Sequence, residues 1–145
     1  MYDWHAVLGT LSGLLIFFAV IPYIRDILKK ETKPNAVSWF GWTLLLSIGL
    51  AAQIKEGASF SALLMAGDVL GTGVVFILSL KYGVAKYTRL DKVSLALGLV
   101  AILLWAVTKN PLTALVLSVL ADFIVSIPTV RKSISDPLSE TPSAF

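Results

Sequence analysis

The sequence predicts an all-α polytopic membrane protein with about five transmembrane helices. Of its 145 residues, 57% are hydrophobic and only 14% are charged, and the mean hydropathy is +0.83. A soluble domain carries about 25% charged residues and uses them to cover its surface, so a chain this apolar requires a lipid environment. The second indication is that long runs without lysine or arginine alternate with short basic segments.

Five apolar runs are each predicted to form one transmembrane helix, because crossing ~30 Å of hydrocarbon takes ~20 helical residues. The predicted spans are residues 6–24, 34–54, 57–80, 93–108 and 110–130. Two turn signals predict tight hairpins, Lys55-Glu56-Gly57 between the second and third spans and Asn110-Pro111 between the fourth and fifth.

The basic residues predict the orientation of these spans. Ten of the twelve fall on one predicted side of the membrane, namely Arg25, Lys29, Lys30, Lys33, Lys81, Lys86, Arg89, Lys92, Arg131 and Lys132. Only Lys55 and Lys109 fall on the other side. The positive-inside rule therefore predicts a multi-pass protein of the inner (plasma) membrane, with its amino terminus outside and its carboxyl-terminal tail in the cytoplasm.

The residue inventory argues against several classes of function. The chain has no cysteine, and its only histidine is His5. A metal site or a protein-held cofactor is therefore not expected, although a partner would allow His5 to ligate a pigment or haem. No hydrolase triad or phosphate loop is present, so an enzyme is not expected either. The expected partners are the lipid bilayer and either further copies of the chain in a homo-oligomer or other membrane subunits, and no nucleic acid is expected.

An internal repeat links the first and fifth spans. The first runs into Ile21-Pro22-Tyr23-Ile24-Arg25 and then Glu31-Thr32, and the fifth runs into Ile127-Pro128-Thr129-Val130-Arg131 and then Glu140-Thr141. Each copy has an arginine three residues after the proline and, after a gap in the loop, a Glu-Thr pair. The pattern indicates a duplication separated by three helices of chain.

The proline near the end of the first span, the basic loop after it and the Ser38-Trp39 pair opening the second span resemble the PQ-loop superfamily, which includes the SWEET and SemiSWEET sugar transporters. That family repeats a three-helix unit, either by dimerisation or around a linker helix. The resemblance implies a first unit at residues 1–90, a linker helix at 91–109 and the first helix of a second unit at 110–145. It implies that the chain is a fragment, that partners supply the missing wall, or that the fold serves another purpose.

Two carboxylates within the apolar runs are the main candidates for chemistry. Asp68 lies near the middle of the third span and Asp122 near the middle of the fifth. A charge at the bilayer centre costs ~2.5–3.5 kcal/mol on insertion scales, so such residues usually face a cavity or a partner. Both are expected to bind a polar solute or carry a proton. The alternative is that each hydrogen-bonds a neighbouring helix and fixes its packing.

Four further residues complete the candidate set. Trp42 and Asn35, at the start of the second span, are candidates for solute contact, and membrane-interface anchoring is the alternative for the tryptophan. Pro22 and Pro128 are hinge candidates, because a proline removes a helical hydrogen bond, and a simple bend at the interface is the alternative.

Two functions follow from these features. The first is a PQ-loop/SWEET-like transporter that acts as an oligomer and carries a small polar solute. The second is a structural or accessory transmembrane subunit of a larger membrane protein complex. Both need the same topology, so charge placement does not separate them.

Overall fold

The computed structural model describes residues 3–84, 86–108 and 111–141. It contains six α-helices and one short 3-10 helix in chain order. They are α1 (Trp4–Ala19), α2 (Ile21–Leu28), α3 (Ala36–Lys55), α4 (Ala62–Tyr82), α5 (Arg89–Val107), α6 (Pro111–Ser135) and the 3-10 helix Pro137–Ser139. Every regular element within these described ranges is helical, which confirms the all-α class.

Among the described residues, three stretches are long and apolar enough to cross a membrane. They are Trp4–Leu28, which joins α1 and α2, Ala36–Lys55 and Ala62–Tyr82. They correspond to the first three predicted spans. α5 has 19 residues and α6 has 25, which gives lengths of about 28 and 38 Å at 1.5 Å per residue. Membrane crossing by these two helices stays a prediction.

The two prolines proposed as hinges have different positions in their helices. α1 ends at Ala19 and α2 begins at Ile21, so that Pro22 lies in the first turn of α2. The missing N–H of a proline costs little there, because first-turn amides lack an intrahelical partner. Pro128 lies inside α6, which continues past the predicted end of the fifth span to Ser135.

The connection between α3 and α4 explains why α4, which corresponds to the third predicted span, begins later than residue 57. Gly57 has a φ of +83°, and its N–H donates to the carbonyl of Ile54 while that of Ala58 donates to Gln53. This is a Schellman turn, in which glycine takes the left-handed conformation after the last helical residue. The predicted hairpin is therefore a true helix end, and α4 starts only at Ala62.

Small residues let the helices approach closely. α4 packs against both α1 and α3, and α6 packs against α3 and α5. A Cβ atom added to Gly67 would lie 2.2 Å from the carbonyl oxygen of Gly13, and one added to Gly41 would lie 2.6 Å from the side chain of Val125. Backbone contact at the glycines thus joins α4 to α1, and α6 fits against α3 at a glycine.

The outer surface of these helices is apolar. Leu15 of α1, Ile77 of α4, Leu103 of α5 and Phe123 of α6 are each about two-thirds exposed. Exposing such a surface to water is unfavourable in free energy, whereas exposing it to lipid chains is not. The exposed side chains and the three long apolar helices agree with the predicted membrane environment.

Candidate functional site

A cavity of about 590 Å³ lies between α3, α4 and α6. Polar groups reach it from two helices: Asp68 and Thr72 from α4, and Ser118 and Asp122 from α6. The rest of its described wall is aromatic or apolar, formed by Trp39, Trp42, Leu45, Leu46, Ile48, Gly49 and Met65. The fold therefore brings together three of the predicted site residues, Asp68, Asp122 and Trp42.

The two faces of α4 explain how Asp68 reaches the cavity. Gly67 and Gly71 face α1, where they lie against Gly13 and Val20. A helix turns by about 100° per residue, so the residue after Gly67 points away from α1. Asp68 consequently lines the cavity on the α3 and α6 side, and it is half-buried there.

The two carboxylates are not used to join helices in the described part of the chain. No side-chain hydrogen bond or ion pair involves the carboxylate of Asp68 or Asp122 among the residues that the structure describes. The described wall of the cavity also contains no lysine, arginine or histidine. The cavity therefore offers two acidic groups to an occupant that donates hydrogen bonds, carries positive charge or supplies protons.

Aromatic side chains line the cavity at the start of α3, the end of that helix that follows a basic loop. The ring of Trp39 is 5.2 Å from that of Trp42 in an edge-to-face arrangement, and 5.1 Å from the ring of Tyr23 in α2. Tyr23 is 1% exposed and Trp39 is 8% exposed. The three rings form a packed layer that runs from the cavity wall to α2.

The tail segment, defined here as residues 136–141, holds this aromatic layer from the outside. The hydroxyl of Tyr23 donates a 2.7 Å hydrogen bond to Oε2 of Glu140. The other carboxylate oxygen of Glu140 lies 2.5 Å from Nζ of Lys132, and both side chains are largely buried. Because each carboxylate oxygen has a donor, the buried charge of Glu140 is compensated.

A second set of contacts joins the tail segment to the loop after α2. The hydroxyl of Thr141 donates to Asp26 at 2.9 Å and lies 2.6 Å from the hydroxyl of Thr32. The N–H of Lys33 donates to the carbonyl of Ser139 at 3.0 Å. Thr32 and Thr141 occupy equivalent positions in the predicted repeat, so the two copies meet at matching residues.

Asn35 lies outside the cavity. Its Oδ1 accepts from the N–H of Val37 and its Nδ2 donates to Asp91 at 2.7 Å, so it caps α3 and joins it to the start of α5. Asp91 also accepts from the hydroxyl of Thr88 at 2.7 Å. The Thr88-x-x-Asp91 spacing is a helix-start signal that was readable from the sequence. Both polar groups of the Asn35 amide are engaged in these structural contacts.

The remaining candidates lie away from the cavity. Pro22 is exposed, and Pro128 is buried in α6. His5 is exposed at the start of α1, 3.6 Å from Asp3. The contacts of Tyr23 and Glu140 were missed by sequence reasoning, and the only signal for them was the repeated Glu-Thr pair.

Comparison of the chain with protein-family models, curated proteins and solved structures finds no match. Within the described ranges, no group of three or more histidine, aspartate or glutamate side chains is placed to hold a metal ion. The cavity and its two carboxylates are therefore the features of this chain that bear most directly on function.

Proposed function

We propose that the protein is a PQ-loop/SWEET-like membrane transporter, and that a small polar solute binds in the cavity between α3, α4 and α6. The observation that carries the proposal is the convergence of Asp68 and Asp122 on this cavity. Within the proposed membrane-spanning helices, acidic groups are costly. A polar or cationic solute, or bound protons, would offset that cost each time the cavity fills.

The proposed architecture has five spans in two partial units. The first unit comprises α1 to α4, α5 is the linker and α6 begins the second unit, with the basic loops in the cytoplasm. The contact between Thr32 and Thr141 supports this arrangement, because equivalent residues of two copies meet where a two-fold axis relates them. A homo-oligomer would complete the wall around the cavity.

The proposed cycle is alternating access, with the structure representing a state closed at its basic end. In this proposal, Trp39, Tyr23 and the tail segment, which contact one another, separate the cavity from the basic loops. Opening requires the Tyr23 hydroxyl to leave Glu140 and the helix ends to separate. The break between α1 and α2 before Pro22 provides a place for this movement.

The alternative role, an accessory subunit, predicts different contacts for the two aspartates. In that role Asp68 and Asp122 should be bonded by neighbouring helices, either within the chain or from partner polypeptides. Purification in mild detergent, followed by measurement of the subunit stoichiometry, separates the two. A homo-oligomer is expected, whereas a single copy held against different polypeptides would contradict the transporter.

Substitution of Asp68 by asparagine tests the cavity directly. Asp68→Asn keeps the size of the side chain but removes its charge, so uptake into proteoliposomes should be abolished without loss of assembly. Labelled glucose and labelled choline serve as a neutral and a cationic probe. Glu56→Gln is the matched control, because Glu56 is an exposed carboxylate in the α3–α4 turn and lies outside the cavity wall. Unchanged uptake by Asp68→Asn would remove this residue from the proposed mechanism.

A further inference from the structure

A second cavity, of about 250 Å³, lies at the basic end of the molecule. It is bounded by the α4–α5 connection, the start of α5 and the last turns of α6. Lys86 and Thr88 line it from the connection, Asp91 from α5, and Arg131, Lys132 and Ser135 from α6. Unlike the cavity that contains Asp68, this one has cationic side chains in its wall.

Two of these cations have no acidic partner. The carboxylate of Asp91 already accepts from Asn35 and Thr88, and Lys132 is paired with Glu140. Lys86 and Arg131 are exposed, and neither forms an ion pair with any residue that the structure describes. The rim therefore presents two uncompensated positive charges to an anion.

An apolar groove continues directly from this rim. It has a volume of about 320 Å³ and runs along the outer face of α6, past Phe123, Ile127, Val130 and Ile134. Arg131 and Ser135 belong to the walls of both the groove and the second cavity. From Phe123 to Ile134 the groove extends about 16 Å along the helix, at 1.5 Å per residue.

We propose that the second cavity and the groove together form a binding site for one anionic phospholipid. Its phosphate lies between Lys86 and Arg131, and one acyl chain occupies the groove on α6. Charge complementarity selects the head group, and an apolar groove that begins at the same arginine accommodates the chain. A free phosphate ion would contact only the second cavity and would leave the apolar groove empty. The site is independent of the solute cavity and of transport.

Native mass spectrometry of the delipidated protein in detergent tests this site. Phosphatidylglycerol and phosphatidylcholine with identical acyl chains are the probes. The wild-type chain should bind the anionic lipid more tightly. Lys86→Gln and Arg131→Gln should each weaken that binding about five-fold and leave phosphatidylcholine binding unchanged. Equal binding of the two lipids to the wild-type chain would overturn the proposal.

Arg25→Gln is the matched control. Arg25 follows Pro22 as Arg131 follows Pro128, and it is exposed but lies outside both walls of the site. It should bind phosphatidylglycerol as the wild-type chain does. An equal loss in Arg25→Gln and Arg131→Gln would show that diffuse positive charge attracts the lipid, which would refute a defined site. Lys86→Gln changes a loop residue, so it gives the same test should Arg131→Gln fail to fold.

Inorganic phosphate distinguishes the lipid from the free anion. A large excess of phosphate should leave phosphatidylglycerol bound, because the groove contributes apolar contact that phosphate lacks. Displacement of the lipid by phosphate would show that the polar cavity acts alone, and the lipid assignment would be wrong.

Discussion

Gly67 and Asp68 are adjacent in the chain but face different sides of α4. The missing side chain of Gly67 lets the backbone of α4 touch α1 at Gly13, while the carboxylate of Asp68 lines the cavity on the other side. The close packing on one face of α4 fixes the direction of the other face. The position of the acidic group therefore depends on its glycine neighbour as well as on its own chemistry.

Gly67→Ala should destabilise the protein, because its new Cβ atom would lie 2.2 Å from a backbone oxygen that cannot move alone. Overpacking of this kind costs about 1–3 kcal/mol. Gly73→Ala is the matched control in the same helix, where the nearest atom would be 3.8 Å away. The midpoint of thermal unfolding in detergent should fall for Gly67→Ala and stay near the wild-type value for Gly73→Ala. Equal midpoints would contradict the close helix contact.

At the scale of elements, the tail segment and the loop after α2 depend on each other. Hydrogen bonds join the two segments directly, among them the bond from the N–H of Lys33 to the carbonyl of Ser139. Glu140 and Thr141 of the tail segment bond to Tyr23 and Asp26, which come from the other end of the sequence. At the basic end of the bundle, the tail segment is therefore held in place by a few polar contacts. We call the tail segment in this position the cover.

Glu140→Gln should loosen this cover. The substitution removes the charge that pairs with Lys132 and weakens the bond from Tyr23, and hydrogen bonds to charged groups contribute about 1.5–3 kcal/mol. Amide hydrogen exchange at Lys33, whose N–H donates to Ser139, should accelerate roughly ten-fold or more.

Glu31→Gln is the control for that experiment. Glu31 is the equivalent glutamate of the first repeat copy, but its side chain is exposed. Exchange at Lys33 should stay at the wild-type rate in this variant. The same acceleration in both variants would mean that the ion pair of Glu140 does not hold the tail segment.

At the scale of the whole molecule, the distribution of charge predicts how the bundle lies in the membrane. The basic loops gather at the end closed by Tyr23 and the tail segment, and the α3–α4 turn lies at the other end. The outer faces of α1, α4, α5 and α6 between these ends are apolar. The arrangement predicts one orientation, with the covered end in the cytoplasm.

Single cysteines provide a direct measurement of this orientation, because the chain has none of its own. A membrane-impermeant maleimide applied to intact cells should label Lys55→Cys, at the end of α3 beside the α3–α4 turn. Lys86→Cys, in the basic α4–α5 connection, should be labelled only after the membrane is permeabilised. The reverse pattern would overturn the predicted topology while leaving the fold unchanged.

Local chemistry explains how much of the fold was predictable. The apolar runs indicated the three stretches that are long enough to span a membrane, and Gly57 indicated a helix end, because these signals act within a few residues. Pro22 was interpreted as a hinge or a bend within the first span, and the structure places it in the first turn of α2. The ends of α5 and α6 were predicted less well. α5 begins at Arg89, where Thr88 and Asp91 cap it, and α6 continues through Pro128 to Ser135.

The sequence by itself determined that the protein is helical and apolar, with two aspartates within the apolar runs, because composition and short-range spacing carry that information. Only the tertiary structure decided that Asp68 and Asp122 share a cavity, that Asn35 caps α3 away from it, and that Glu140 reaches Tyr23. These outcomes depend on which helix faces meet. Glycine contacts, side-chain volumes and contacts between distant segments determine which faces pack together. The residue pattern of a single helix does not carry this information.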